Sequence, residues 1–197
     1  MLRDKWWDPR ALSEAAHAIR LATPVHEFFS DPAYKTVREA INAADFATGR
    51  PWNRDWEVRP VPQSEGFPDV QLRCGTDVRP FEITEADREP RRRGAEYQAD
   101  HQAELDNKPE QVILFDPGEE AEVALVEIQR VLRQKAEKMY RPRPNILVYV
   151  NLWGGEPTSL YAHGLAQLYG NSFESAWLLW GRNMFRLWPK RAKIQLH

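Results

Sequence analysis

Pro68-Asp69-Val70-Gln71-Leu72-Arg73-Cys74-Gly75-Thr76-Asp77-Val78-Arg79-Pro80-Phe81-Glu82-Ile83-Thr84 is the stretch that decides how this chain reads. Glycine at the first position of a two-residue loop signals a β-hairpin, so Gly75-Thr76 joins two antiparallel strands and pairs Cys74 with Asp77. Counting back along both strands sets Asp69 directly opposite Glu82. Side chains alternate, so Gln71 shares the face of Asp69, and Thr84 that of Glu82. Two carboxylates facing each other across a ladder repel and are mildly destabilising. A divalent cation between them reverses that sign, because Mg²⁺ takes hard oxygen ligands from one or two carboxylates plus waters. Without a cation the pair reads as two solvent-facing acids on an edge hairpin. Pro80, which cannot donate to the ladder, weakens the register.

Outward from this hairpin the pattern is mixed. Residues 1–50 read as helical. Leu12, Ala15, Ala16 and Ile19 recur at helical spacing between Pro9 and Ala22. A second helix starts from the cap Asp31 with Pro32 in its first turn, carries the stripe Tyr34, Val37, Ile41 and Ala44, and stops at Gly49-Arg50-Pro51. Trp56 to Val61 alternates as a strand or strand edge. Ala86 to Asp106 is polar, an exposed helix or loop, and Gln111 to Phe115 is a short apolar run. Glu119 to Tyr140 has the strongest helical pattern in the chain, ended by Arg141-Pro142-Arg143-Pro144. Ile146 to Val150 is the continuous apolar run of a central strand covered on both faces. A helix over Ser159 to Tyr169 follows, then a closing hairpin of Ala176 to Trp180 and Met184 to Trp188 around Gly181-Arg182-Asn183. The expectation is an α/β (α+β) fold: one domain over 1–197, with N-terminal helices over 1–50, a strand-rich core over 54–151, and a helix and hairpin over 152–197.

Composition narrows the function classes. The chain has 197 residues, 42% of them hydrophobic and 28% charged, as in an ordinary globular domain. A net charge of −2 argues against a protein that coats nucleic acid by charge alone, although an acidic metal site and a local basic rim can cancel. One cysteine, Cys74, excludes an internal disulfide and a cysteine-based zinc site. The absence of a long apolar run and of a secretory-type start leads us to expect a cytoplasmic protein with no membrane partner. His17, His26, His101, His163 and His197 lack metal-type spacing, and neither a Gly-x-Ser-x-Gly element nor a Gly-rich phosphate loop occurs. Eight tryptophans are read mainly as core, with the Trp-rich C-terminal hairpin the first place to look for an interface such as a homodimer.

Pro68-Asp69 followed after a hairpin by Glu82-Ile83-Thr84 resembles the PD-(D/E)XK nuclease superfamily, which includes restriction endonucleases. The order of elements from Asp31 to Asn151 is similar too: helix, three-strand meander, long helix, further strand. The resemblance implies a restriction endonuclease-like mixed central sheet flanked by helices. It also implies Asp69 and Glu82 as ligands of Mg²⁺ or Mn²⁺, with the Ile83 carbonyl as a further ligand. In the superfamily a lysine orients the attacking water and stabilises charge on the phosphate. Thr84 occupies that position here, and threonine carries no charge.

The missing cation has a candidate on the long helix. Lys135 follows Val131 and Leu132 at helical steps along the stripe Ile128, Val131, Leu132 and Met139, while solvent positions were open at Arg133 and Lys138. The alternative is a lysine whose stem packs and whose amine reaches water. Arg88, Arg91, Arg92 and Arg93 follow the motif and are read as phosphate contacts, or as solvated surface diluted by Glu85, Asp87 and Glu89. The superfamily often adds an acid from an early helix. Glu39 is assigned to that role, although at about 100° per residue it lies about 160° from Ile41 and points away from the core face; Asp45 is the stripe-aligned alternative. Two readings stay open: a Mg²⁺-dependent nuclease acting on DNA or another nucleic acid, and a catalytically inactive descendant serving as a nucleic-acid-binding or protein-interaction module.

Overall fold

The computed structural model of the chain describes residues 2, 4–49, 55–88, 93–106, 117–152, 157–181 and 183–189. Helix α1 (Pro9–Leu21) begins where Asp8 accepts the backbone N–H groups of Arg10 and Ala11, with Pro9 in the first turn. A six-residue helix α2 (Val25–Ser30), too short to show in the periodicity, follows. Asp31 does act as a cap, but of a 3-10 turn, Pro32–Tyr34, that leads into α3 (Lys35–Thr48).

Strands β1 (Glu57–Pro60), β2 (Val70–Cys74) and β3 (Asp77–Ala86) form an antiparallel meander. Cys74 pairs with Asp77 and Val70 with Phe81, the register expected from the Gly75 turn, and Gly75 adopts a φ of +60°. Helices α4 (Arg93–Leu105) and α5 (Pro117–Ala136) come next. Strand β4 (Asn145–Val150) then runs parallel to β3, and β5 (Ser175–Trp180) runs parallel to β4 after helix α6 (Ser159–Tyr169). Strand β6 (Asn183–Trp188) closes the edge antiparallel to β5. Among the described residues these six strands make one mixed sheet in the order β1-β2-β3-β4-β5-β6. The run Gln111 to Phe115 lies outside the described residues.

Alternation along the central strand separates two cores. Ile146, Val148 and Val150 face α5 and α6, where they meet Ile128, Val131, Leu132 and Leu165. Leu147 faces the other way, into a layer with Leu12, Ala43, Ala44, Phe46, Phe81 and Trp177 beneath α1 and α3. That layer is keyed by Phe46, fully buried, with ring centroids 5.4 Å from Phe81 and 5.3 Å from Trp177. Such pairs each add roughly 0.5–1.5 kcal/mol beyond area burial. A smaller cluster of Ala16, Phe28 and Val37, with Ile41 packed against it, ties α1, α2 and α3 together.

The long helix is shorter than its sequence pattern. It stops at Ala136 because its last N–H groups shift to tighter bonds, Lys138 to the Lys135 carbonyl and Met139 to that of Ala136. Met139 then takes a φ of +48° and turns the chain back on itself. Tyr140 therefore leaves the helix and returns toward the sheet. Among the described residues no helix is long and apolar enough to cross a membrane.

Candidate functional site

Glu82 and Ile83 are neighbours on β3, yet they serve opposite layers. The Ile83 side chain is buried under α3, so Glu82 projects to the α5 side. Asp69 sits just before β2, opposite Glu82 when the observed register is extended by one pair. Its Oδ2 accepts the Ile83 backbone N–H at 2.8 Å, at the position where the next ladder bond would form. In an extended strand the N–H and C=O of a residue engaged with a neighbouring strand point the same way, so the Ile83 carbonyl also faces the Asp69 side. Both acids are buried, Asp69 to 8% and Glu82 to 3% residual exposure. The alternative of two acids in open solvent is thereby removed.

Both faces of the sheet contribute to this end. From α5, the Lys135 ammonium lies 2.6 Å from Glu82 Oε2 and 3.5 Å from Asp69 Oδ2. From α3, the Lys35 ammonium lies 3.4 Å from Asp69 Oδ1 and 3.1 Å from Glu39 Oε1. Asp69 is thus shared between two Lys–Glu pairs. The Tyr140 hydroxyl donates to Glu82 Oε2 at 2.7 Å, and its ring stacks on Phe67 at 5.1 Å. A cavity of about 310 Å³ opens beside the group, lined by Lys35, Glu39, Asp69, Gln63, Gly66 and Pro68 among others.

Electrostatics follow from this crowding. Burial, and then the neighbouring Asp69 charge, push the Glu39 carboxyl up to about 7 against the opposing pull of Lys35 and Lys135. For Lys35 burial alone would lower the pKa, but Glu39 and Asp69 outweigh it and the ammonium is held more firmly. Burial and the bond to Glu82 drive the Tyr140 phenol well above its ordinary value, so it stays a donor.

The orientation expected of Glu39 needs correction. Glu39 does not point away: it is buried and reaches the Asp69 group, because α3 packs through Ala40, Ala43, Ala44 and Phe46 rather than through Ile41. Asp45, the stripe-aligned alternative, is exposed near the far end of α3 and takes no part. Thr84 is half-buried two residues beyond Glu82, with no hydrogen bond to Asp69, Glu82 or Lys135. Arg88 is half-buried beside Asp87, whose other carboxylate oxygen accepts from Asn151. Arg91 and Arg92 lie outside the described residues, as does the side chain of Arg93. Lys35 and Tyr140 were missed. The i,i+4 pairing of Lys35 with Glu39 was a readable signal for the first.

The donor set is one that hard cations take: carboxylates from Asp69, Glu82 and Glu39, and a carbonyl at Ile83. The lysines stand among these oxygens, and among the described residues no three acidic, histidine or cysteine side chains are drawn together as a ready cage. His26 and His101 stack at 5.5 Å between α2 and α4, but they belong to no such group either. Comparison with known proteins gives no further guide: no family model matches the sequence, and no match is found among curated proteins or solved structures.

Proposed function

We propose that this protein is a metal-dependent phosphodiester hydrolase of the restriction endonuclease-like kind, acting on nucleic acid, DNA in the first instance. The observation that carries the reading is Lys135. Its ammonium is 2.6 Å from Glu82 and 3.5 Å from Asp69, so a buried cation holds the acidic pair together although Thr84 carries no charge. The antiparallel meander β1-β2-β3 with β4 parallel to β3, and helices on both faces, supports the fold half of the resemblance.

Asp69, Glu82 and Glu39 would hold Mg²⁺ or Mn²⁺, with the Ile83 carbonyl as a further oxygen. Such an ion supplies Lewis-acid polarisation of a phosphoryl oxygen and a more acidic bound water. The chain's own residues set the rest. Ile83 N–H fixes the Asp69 carboxylate, Tyr140 fixes that of Glu82, and Lys135 keeps the two from repelling. With all groups ionised, three carboxylates and two ammoniums leave one negative charge. A divalent ion converts this to one positive charge, the complement of a single phosphodiester.

One observation favours a binding module instead: the lysines already neutralise most of the acidic charge without metal. The test is cleavage of plasmid and single-stranded DNA in Mg²⁺ or Mn²⁺, beside thermal denaturation with and without the ion. Cleavage that disappears in Asp69→Asn supports the hydrolase. DNA binding without cleavage selects the binding module. No cleavage together with no metal-dependent stabilisation overturns the metal site.

A further inference from the structure

The two lysines around Asp69 are placed differently, and the difference assigns them different work. Lys135 has a side chain only 15% exposed, lies 2.6 Å from Glu82 Oε2, and shares that oxygen with the Tyr140 hydroxyl. Turning it toward a ligand would leave the nearly enclosed Glu82 carboxylate without its cation, a costly state for a buried charge. Lys35 has a side chain 49% exposed, holds Glu39 and Asp69 at 3.1 and 3.4 Å with neither contact as close as the 2.6 Å between Lys135 and Glu82, and lines the cavity of about 310 Å³. If Lys35 swings outward, Asp69 keeps both the Ile83 N–H and Lys135, and Glu39, which loses its ion pair, is a carboxylate that the bound metal ion of the hydrolase reading would compensate.

We infer that Lys35, rather than Lys135, is the cation that meets the substrate, and that the cavity beside it takes one phosphate unit of a nucleic-acid strand bound at the Asp69–Glu82 site. This deepens the hydrolase reading and rests on it. Lys135 is then a positioning residue that holds the two acids together, and Lys35 reads the strand's charge. A cavity of this size is at the small end of ligand sites, suited to one nucleotide unit rather than to a long segment. A phosphate contact carries no base information, so the cavity confers register on the strand and no sequence preference.

The experiment is equilibrium binding of a short labelled single-stranded DNA over a series of salt concentrations. Ca²⁺ replaces Mg²⁺, because it fills hard-oxygen sites with looser geometry. Wild type, Lys35→Ala, Lys35→Arg and Lys135→Met are compared, each checked for folding by thermal denaturation. Lys35→Ala is expected to weaken binding about tenfold and to reduce the slope of log affinity against log salt by about 0.7, the share of one phosphate contact on a single strand. Lys35→Arg should retain both, and Lys135→Met should keep the wild-type slope. A matched RNA strand should show the same loss in Lys35→Ala, since the contact is to phosphate. If wild type binds and Lys35→Ala binds with unchanged affinity and slope, the inference is overturned while the hydrolase reading stands. If the slope change appears in Lys135→Met instead, the division of labour is reversed and the inference is equally overturned. If wild type binds neither strand, the nucleic-acid reading falls and takes this one with it.

Discussion

Replacing Lys135 with methionine keeps the length and apolar bulk of the side chain and removes only its charge. The structure sets the size of the effect. The Glu82 and Asp69 side chains are 4% and 8% exposed, and Lys135 is the cation that contacts both. Removing one partner of a buried ion pair costs about 3–5 kcal/mol, since the charge left behind cannot regain water. Lys35 on Asp69 and the Tyr140 hydroxyl on Glu82 remain, so we expect a somewhat smaller loss, about 2–4 kcal/mol. With a urea m-value of about 2 kcal/mol/M this moves the unfolding midpoint down by roughly 1–2 M. Lys138→Met, at an exposed position on the same stretch, is the control and should stay within about 0.5 kcal/mol of wild type. Mg²⁺ should then stabilise Lys135→Met more than wild type, because the ion replaces a charge that only the variant lacks. Saturation at a hundredfold over its Kd is worth about 2.7 kcal/mol. A Lys135→Met protein as stable as the Lys138→Met control, with no extra response to Mg²⁺, would refute the claim that Lys135 holds the carboxylate pair.

Three further outcomes are expected. The metal-free protein should lose stability as pH rises from about 4.5 toward about 7, because over that window the folded Glu39 holds a proton that the unfolded chain has released. The shift sets a ceiling of about 3 kcal/mol on this contribution, and Glu39→Gln should flatten the slope in urea unfolding measured at several pH values. Tyr140→Phe keeps the stack on Phe67 but removes the bond to Glu82, so denaturation should show a loss of about 1.5–3 kcal/mol, as for a hydrogen bond to a charged group; an unchanged midpoint would sink the role given to that hydroxyl. Phe46→Ala should cost about 3–5 kcal/mol by calorimetry or urea unfolding, since it empties the centre of the α3 layer.

What the sequence revealed and what it hid divide along physical lines. The Asp69–Glu82 pairing was legible because a two-residue turn at Gly75 leaves a hairpin only one register. Lys135 was legible because a charge on an apolar helical stripe is conspicuous. Glu39 reads as pointing outward because Ile41 stands out as the centre of an apolar stripe, whereas the face buried against the sheet is made mostly of alanines. Ala40, Ala43 and Ala44 carry little hydrophobic signal, yet they let α3 approach the sheet closely. Tyr140 was invisible for a different reason. Its position depends on a turn at Met139 with positive φ, which no periodicity encodes. The placement of Lys35 on Asp69 is likewise a contact between residues 34 apart in the chain, set by how α3 docks.

The hydrogen bond from the Ile83 amide to Asp69 has a practical side. One backbone proton, in the middle of a rigid strand, reports directly on the charge and orientation of the aspartate. Its nuclear resonance should move when a cation draws on that carboxylate, and its exchange with solvent should slow. A single assigned amide peak would therefore follow occupancy of the site in solution, with no substrate, no cleavage and no altered side chain.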